Sequence, residues 1–209
     1  MSRRHLPGGT LTAPLPPALV TVGEGEEANV LTVAWTGILC STPPKTYVSV
    51  RPTRHSYALL KKYGEFVIHL PTEKLARAVD FCGMYTGAKV DKFDKCKLTK
   101  TESKVVKTPT IAECPVALEC RVTDVIPLGT HDVFIADIVN VSCDDALFDD
   151  SGKLHMEKAG LLAYAHGEYF TLGRRVGNFG FSAAKKKNGA KATSPARKKP
   201  TKKNGGGRQ

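Results

Sequence analysis

The sequence lacks the short motifs that mark most catalytic and metal-binding sites. Its 209 residues contain no G-x-S-x-G nucleophile elbow, no P-loop, no H-E-x-x-H zinc motif and no G-x-G-x-x-G after a predicted strand. None of the six cysteines forms a C-x-x-C pair, and the six histidines do not have metal-ligand spacing. We therefore expect no metal site, no Rossmann-type nucleotide site, no side chain acting as a catalytic acid or base, and reduced thiols.

Long apolar runs are also missing. No stretch approaches the ~18–20 apolar residues of a membrane helix, and the charged N-terminus is not followed by the apolar segment of a signal peptide. Hydrophobic residues nevertheless make up 41% of the chain, which is enough for a folded core. The sequence thus predicts a soluble cytoplasmic protein without membrane contact.

The net charge of +11 is concentrated at the C-terminus. Ten of the 31 Lys and Arg residues lie within 181–209, a segment that contains no Asp or Glu. The rest of the chain is therefore nearly neutral. We expect a flexible N-terminus over 1–14, a folded domain over 15–181 and a disordered basic tail over 182–209. The tail could make weak, sequence-independent contact with nucleic acid. Alternatively, it is an appendage for solubility or localisation, because the neutral body has no nucleic-acid recognition motif.

Alternating apolar residues predict a mainly β fold with short helices. The expected strands cover 18–22, 29–37, 46–51, 65–70, 116–126 and 133–141, and the expected helices cover 53–63, a segment after Thr72, and 157–164. Short connections make most neighbouring strands antiparallel. This pattern is typical of a β-barrel with inserted helices and not of a doubly wound sheet.

The segment 49–56 joins the end of a predicted strand to the start of a predicted helix. Free backbone N–H groups and the positive end of the helix dipole attract anions at such a position. Arg51 and Arg54 add charged donors and Thr53 and Ser56 add hydroxyls, so a phosphate would fit. The alternative is a Thr or Ser helix cap beside two solvated arginines.

The predicted strand 29–37 has two unlike faces. Leu31, Val33 and Trp35 form a bulky face, whereas Thr32 and Ala34 belong to a smaller face that suits a flat ligand. Trp35 could pack in the core or stack near such a ligand. The bulky face and the apolar residues of 133–141 exceed what one small barrel needs, which predicts a homodimer.

Taken in order, these segments resemble the flavin reductase-like, FMN-binding split-barrel family, and most closely its flavoredoxin-type branch. The resemblance is carried by N-V-L-T-V-A-W-T-G at 29–37, V-S-V-R-P-T-R-H-S at 48–56, G-E-F-V-I-H-L-P at 64–71, D-F-C-G at 80–83 with D-K-F at 91–93, and H-G-E-Y-F at 166–170. It extends from about Leu15 to Phe181. The colinear order of these motifs is more specific than any one of them.

The resemblance implies an FMN held non-covalently at a homodimer interface in a split barrel. The isoalloxazine ring would lie beside 32–36 and approach Lys92, and the phosphate would lie at the helix start, with His69 standing where the family usually has Asn. The implied cofactor-binding residues are Asn29, Thr32, Ala34, Trp35, Thr36, Val50, Arg51, Arg54, His55, Ser56, His69, Lys92 and His166.

The resemblance also implies a function. NAD(P)H would reduce the bound FMN, which would pass electrons to a small-molecule or protein acceptor. The alternative is an electron-transfer protein of the flavoredoxin type that is reduced by a protein partner. Because the flavin carries the redox chemistry, neither function requires an acid or base side chain.

Overall fold

The structure, a computed structural model, describes residues 2–183. Residues 184–209, which include nearly all of the predicted basic tail and its proposed nucleic-acid contact, lie outside the described residues. The chain divides into a main unit that ends at Arg174 and a short unit that begins at Arg175. In the second unit the described residues contain turns at 179–183.

Eleven strands and three α-helices account for most of the regular structure in 2–183. The strands are β1 (Ala18–Val22), β2 (Asn29–Val33), β3 (Thr36–Ser41), β4 (Pro44–Val50), β5 (Glu65–Leu70), β6 (Lys100–Thr101), β7 (Thr110–Ile111), β8 (Val116–Pro127), β9 (Asp132–Cys143), β10 (Leu162–Ala165) and β11 (Glu168–Thr171). The helices are α1 (His55–Tyr63), α2 (Ala76–Met84) and α3 (Lys92–Cys96). The predicted mainly β fold with short helices is confirmed.

Seven strands form one antiparallel sheet in the order β2-β1-β5-β8-β9-β4-β3. The two edge strands, β2 and β3, are consecutive in the chain and are joined only by Ala34 and Trp35. Such a short link forces the sheet to curl until its edges approach each other. The Ser49 N–H donates to the Trp35 carbonyl at 3.0 Å, which ties this corner to the end of β4. The result is an incompletely closed barrel with its opening at this corner.

The barrel interior is filled by alternate residues of the sheet. Val20, Leu31, Val33 and Phe134 belong to this core, and Leu31 and Val33 are buried within a single chain. These two side chains therefore offer no apolar surface to a second chain. The expectation that they pack in a homodimer interface is wrong. A second cluster, which includes Leu19, Val79 and Phe93, packs α2 and α3 onto the outer face of the sheet.

Two sequence predictions of secondary structure are wrong. The expected strand 29–37 is two strands, because β2 pairs with β1 whereas β3 pairs with β4. The expected helix 157–164 is a 3-10 turn, Met156–Lys158, followed by β10. Gly160 interrupts it at a φ of 62°, a conformation in which a helix cannot continue. Within 2–183, none of the helices has the length and apolarity needed to traverse a bilayer.

Candidate cofactor-binding cleft

Two neighbouring cavities lie along β2 and share three lining residues, Leu31, Thr32 and Arg54. We call the first, of about 280 Å³, the strand-end cavity; it is lined by Pro17, residues 31–35, residues 49–51, Arg54, His131, Tyr164 and Tyr169. We call the second, of about 110 Å³, the helix-start cavity; it is lined by Asn29, Leu31, Thr32, residues 53–56, Cys82, Gly83, residues 85–87 and Lys92. Together they form one cleft at the open corner of the barrel.

Aromatic rings border the strand-end cavity. The ring centroids of Trp35 and His131 are 4.5 Å apart, and those of Tyr164 and Tyr169 are 5.4 Å apart. Arg51 Nε donates to His131 Nε2 at 3.4 Å. Burial lowers the pKa of His131, and the nearby positive charges of Arg51 and Arg54 lower it further. The cavity thus offers a neutral imidazole, flat apolar walls and guanidinium donors, which suit a planar polar ligand.

The helix-start cavity surrounds the first turn of α1. Asn29 Nδ2 donates to Ser56 Oγ at 2.7 Å. Arg54 occupies the N-cap position, and among residues 2–183 no side chain caps this helix start. The alternative that Thr53 or Ser56 serves as a helix cap is therefore wrong. An uncapped helix start that faces a cavity beside an arginine is a favourable position for an anion.

Lys92 is the most unusual charge in the cleft, because it is only 4% exposed. Its Nζ donates to the Cys82 carbonyl oxygen at 2.8 Å. Burial lowers the pKa of Lys92, and the charge of Arg54 also lowers it. In the part of the chain that the structure describes, no carboxylate forms an ion pair with this ammonium group. A buried cation without a counter-charge is costly, and an anionic ligand in the helix-start cavity would offset that cost.

Most of the residues expected from the sequence line this cleft. They are Asn29, Thr32, Ala34, Trp35, Val50, Arg51, Arg54, His55, Ser56 and Lys92. Lys92 lines the helix-start cavity with Thr32 and Ser56, whereas Trp35 lines the strand-end cavity. The approach of Lys92 to a flavin ring stays a prediction.

Three of the expected residues line neither cavity. Thr36 is buried, and its Oγ1 donates to the Tyr47 carbonyl at 2.6 Å. His69 is fully buried elsewhere in the sheet, where both ring nitrogens have protein partners. His166 is exposed in the turn between β10 and β11. The bulk of His69 relative to Asn is thus accommodated in the core and not in the cleft.

Tyr164 and Tyr169 are not among the residues expected from the sequence, because the pattern over 157–164 predicted a helix. As a hairpin, β10 and β11 place Tyr164 directly opposite Tyr169. The turn residues His166 and Gly167 both have positive φ, of 48° and 94°. A two-residue turn of this kind between alternating segments is a recognised hairpin pattern, and it could have been found from H-G between L-A-Y-A and E-Y-F-T. His131, in the turn before β9, had no comparable signal.

Several known proteins are similar to this chain in sequence and fold. The model of the flavin reductase like domain matches residues 11–173. The flavoredoxin of Desulfovibrio vulgaris (Miyazaki F) superimposes with a TM-score of 0.81 at 31% identity, covering 88% of this chain and 100% of that one. An FMN-binding protein from Thermus thermophilus has a TM-score of 0.68 at 28% identity, covering 82% and 93%. The NADPH-flavin oxidoreductase of Streptomyces viridifaciens is 26% identical over 73% of this chain and 79% of its own.

The matched region contains the whole seven-stranded sheet and every residue that lines the cleft. The two solved relatives share the barrel at identities above one quarter, which confirms the split-barrel fold. The chain therefore belongs to the flavin reductase-like domain family.

Proposed function

We propose that this protein binds FMN in the cleft and transfers reducing equivalents from NAD(P)H through it to an acceptor. The observation that carries the proposal is the buried ammonium group of Lys92, which has no carboxylate partner among the described residues and faces the uncapped start of α1. The relatives named as FMN-binding protein and NADPH-flavin oxidoreductase support the cofactor and the donor class.

Each of the two cavities would bind a different part of FMN. Lys92, Arg54 and the first turn of α1 would hold the phosphate through charged and backbone donors. Trp35 and Tyr164 would flank the ring and exclude water from it. The joined cavities reach the lower end of the ~300–1,000 Å³ range of small-molecule sites.

FMN, when bound, supplies the redox chemistry. The chain's own residues bind and orient it, and the guanidinium groups of Arg51 and Arg54 hold positive potential along the strand-end cavity. Because the cofactor would carry the reaction, the protein needs none of the catalytic motifs that the sequence lacks.

A second candidate function is electron transfer without a nicotinamide donor. The observation that favours it is the likeness to a flavoredoxin over 88% of this chain. In this case a protein partner would reduce the bound FMN. Anaerobic mixing of the FMN-loaded protein with NADH or NADPH separates the two functions. Rapid bleaching of the flavin absorbance supports the reductase, and no bleaching supports the electron carrier.

Lys92→Met tests the cofactor site directly. We expect FMN affinity to fall roughly ten- to a hundredfold, because a charge-assisted bond to the phosphate is lost, with little change for riboflavin. Lys95→Met on the same helix is the matched control, because Lys95 is exposed. Equal losses for FMN and riboflavin would place the phosphate elsewhere. A purified protein that neither carries nor binds FMN would contradict the proposal.

A further inference from the structure

Two of the six cysteines lie close together beside the cleft. The Sγ atoms of Cys82 in α2 and Cys96 at the end of α3 are 3.9 Å apart. Cys82 is buried and lines the helix-start cavity, whereas Cys96 is partly exposed. The cysteine spacing predicted only reduced thiols at both positions, and the cofactor site proposed above uses neither sulfur atom.

Cys82 contacts both ends of one face of α3. Its carbonyl oxygen accepts a hydrogen bond from Lys92 Nζ at 2.8 Å, and its sulfur lies against that of Cys96. Lys92 and Cys96 are four residues apart on a helix, so their side chains project from the same face. Cys82 thus holds the same side of α3 at two points, one through its carbonyl oxygen and one through its sulfur.

We propose that Cys82 and Cys96 form a reversible disulfide when the protein meets a hydroperoxide, and that the disulfide weakens binding of phosphate-bearing ligands in the adjacent cleft. The sulfur atoms would approach from 3.9 Å to the ~2.05 Å of a disulfide. Because α3 is only one short helix, part of this movement falls on its backbone and displaces the ammonium group of Lys92.

The chemistry balances with hydrogen peroxide as the oxidant. The thiolate of Cys96, the more accessible of the two, attacks the peroxide; an S–O bond forms, the O–O bond breaks and hydroxide leaves. The Cys82 sulfur then attacks the Cys96 sulfur; an S–S bond forms, the S–O bond breaks and a second hydroxide leaves. The two protons lost by the thiols convert both hydroxides to water. Two thiols are thus oxidised by two electrons, and one peroxide is reduced to two waters.

The environment of the two thiols indicates that they react slowly with an oxidant and that neither is a catalytic thiol. Burial raises the pKa of Cys82 to about 12, and burial also raises the pKa of Cys96. The positive charge of Lys92 acts in the opposite direction on both thiols. Thiolate is therefore scarce at neutral pH, and oxidation requires sustained exposure to peroxide.

The test is disulfide mapping of the full chain after treatment with hydrogen peroxide. We expect the loss of two of the six free thiols, a cross-linked peptide joining Cys82 to Cys96, and recovery of both thiols with dithiothreitol. Cys96→Ser should abolish the cross-link, whereas Cys120→Ser, at a buried cysteine in the barrel interior, should keep it. Six free thiols after treatment, oxidation of Cys96 without a cross-link, or pairing with another cysteine would each overturn the proposal.

The effect of the disulfide on ligand binding is measured separately, as a change in FMN affinity. This part of the proposal rests on the proposed function. FMN affinity of the oxidised protein should be at least about fivefold lower than that of the reduced protein, and peroxide treatment should not change it in Cys96→Ser. A mapped disulfide with unchanged FMN affinity would overturn the coupling to the cleft. Failure of the reduced protein to bind FMN would instead contradict the proposed function, and the mapping result would still decide whether the cysteines pair.

Discussion

The side-chain amide of Asn29 donates to the hydroxyl of Ser56 at 2.7 Å, which joins the first residue of β2 to the first turn of α1. This bond fixes the helix start against the sheet at the narrow end of the cleft. A carbon atom added at Gly87 would overlap the side-chain oxygen of Asn29. Gly87 is thus the position that allows the Asn29 side chain to reach Ser56.

Gly87→Ala should weaken FMN binding without unfolding the protein. The new methyl group must displace the Asn29 amide and break its bond to Ser56, at a cost of about 0.5–1.5 kcal/mol, or roughly two- to tenfold in affinity. Fluorescence titration with FMN measures this loss. Gly173→Ala is the control, because none of the described residues lies within 4 Å of a carbon added there. Equal affinities for both variants would show that Asn29 does not position the site.

Arg54→Ala tests the residue shared by the two cavities. Arg54 lines both, so its loss should lower FMN affinity roughly ten- to a hundredfold through the missing charged donor. Riboflavin, which has no phosphate, should bind nearly as before. Lys61→Ala, at an exposed position in the last turn of α1, should change neither affinity. An equal fall for both flavins would move the phosphate away from Arg54.

We still predict a homodimer near twice 22.6 kDa with one FMN per chain, and the evidence for it now comes from different residues. Trp35, Ile38 and Leu39 are 37%, 66% and 51% exposed at the corner and on the edge strand β3, beside the open cleft. A second chain packed there would bury these side chains and cover the cleft.

Ile38→Glu should therefore produce monomers and weaken FMN binding together, as measured by light scattering and flavin titration. Leu154→Glu, at a partly exposed position in a loop outside the sheet, should leave the dimer intact. A wild-type monomer that binds FMN tightly at micromolar concentration would refute the prediction.

The sequence predicted the barrel and most of the cleft because both depend on local patterns. Alternating apolar residues predict the strands, and the glycine after α1 predicts where that helix ends. The hydrogen-bond donors of the cleft at 51–56 are contiguous in the chain. The break at Ala34 depends instead on which strands pair with β2 and β3, which is a property of the whole sheet. Local patterns likewise could not show that Lys92 faces the helix start, because its position depends on the packing of α3 against α2.

His69 provides a prediction about stability and not about the cofactor. The Ile111 N–H donates to its Nε2 at 2.9 Å, so the neutral ring carries its proton on Nδ1 and donates to the Leu19 carbonyl at 3.1 Å. Burial lowers the pKa of His69 from 6.5 to about 4, partly offset by the bond to Leu19. Between these values the unfolded chain binds a proton that the folded chain excludes, so stability falls as the pH drops from about 6.5 to about 4.

At about 1.4 kcal/mol per pKa unit, the contribution of His69 over that window is about 3 kcal/mol. His69→Asn cannot titrate, so the difference between its free energy of unfolding and that of the wild type should shift by this amount between pH 7 and pH 4, as measured by urea denaturation. His5→Asn, at an exposed position, should follow the wild type. FMN affinity should be unchanged in His69→Asn, because the ring lies outside the cleft. Parallel pH profiles for His69→Asn and the wild type would show that His69 titrates alike in the folded and unfolded chains.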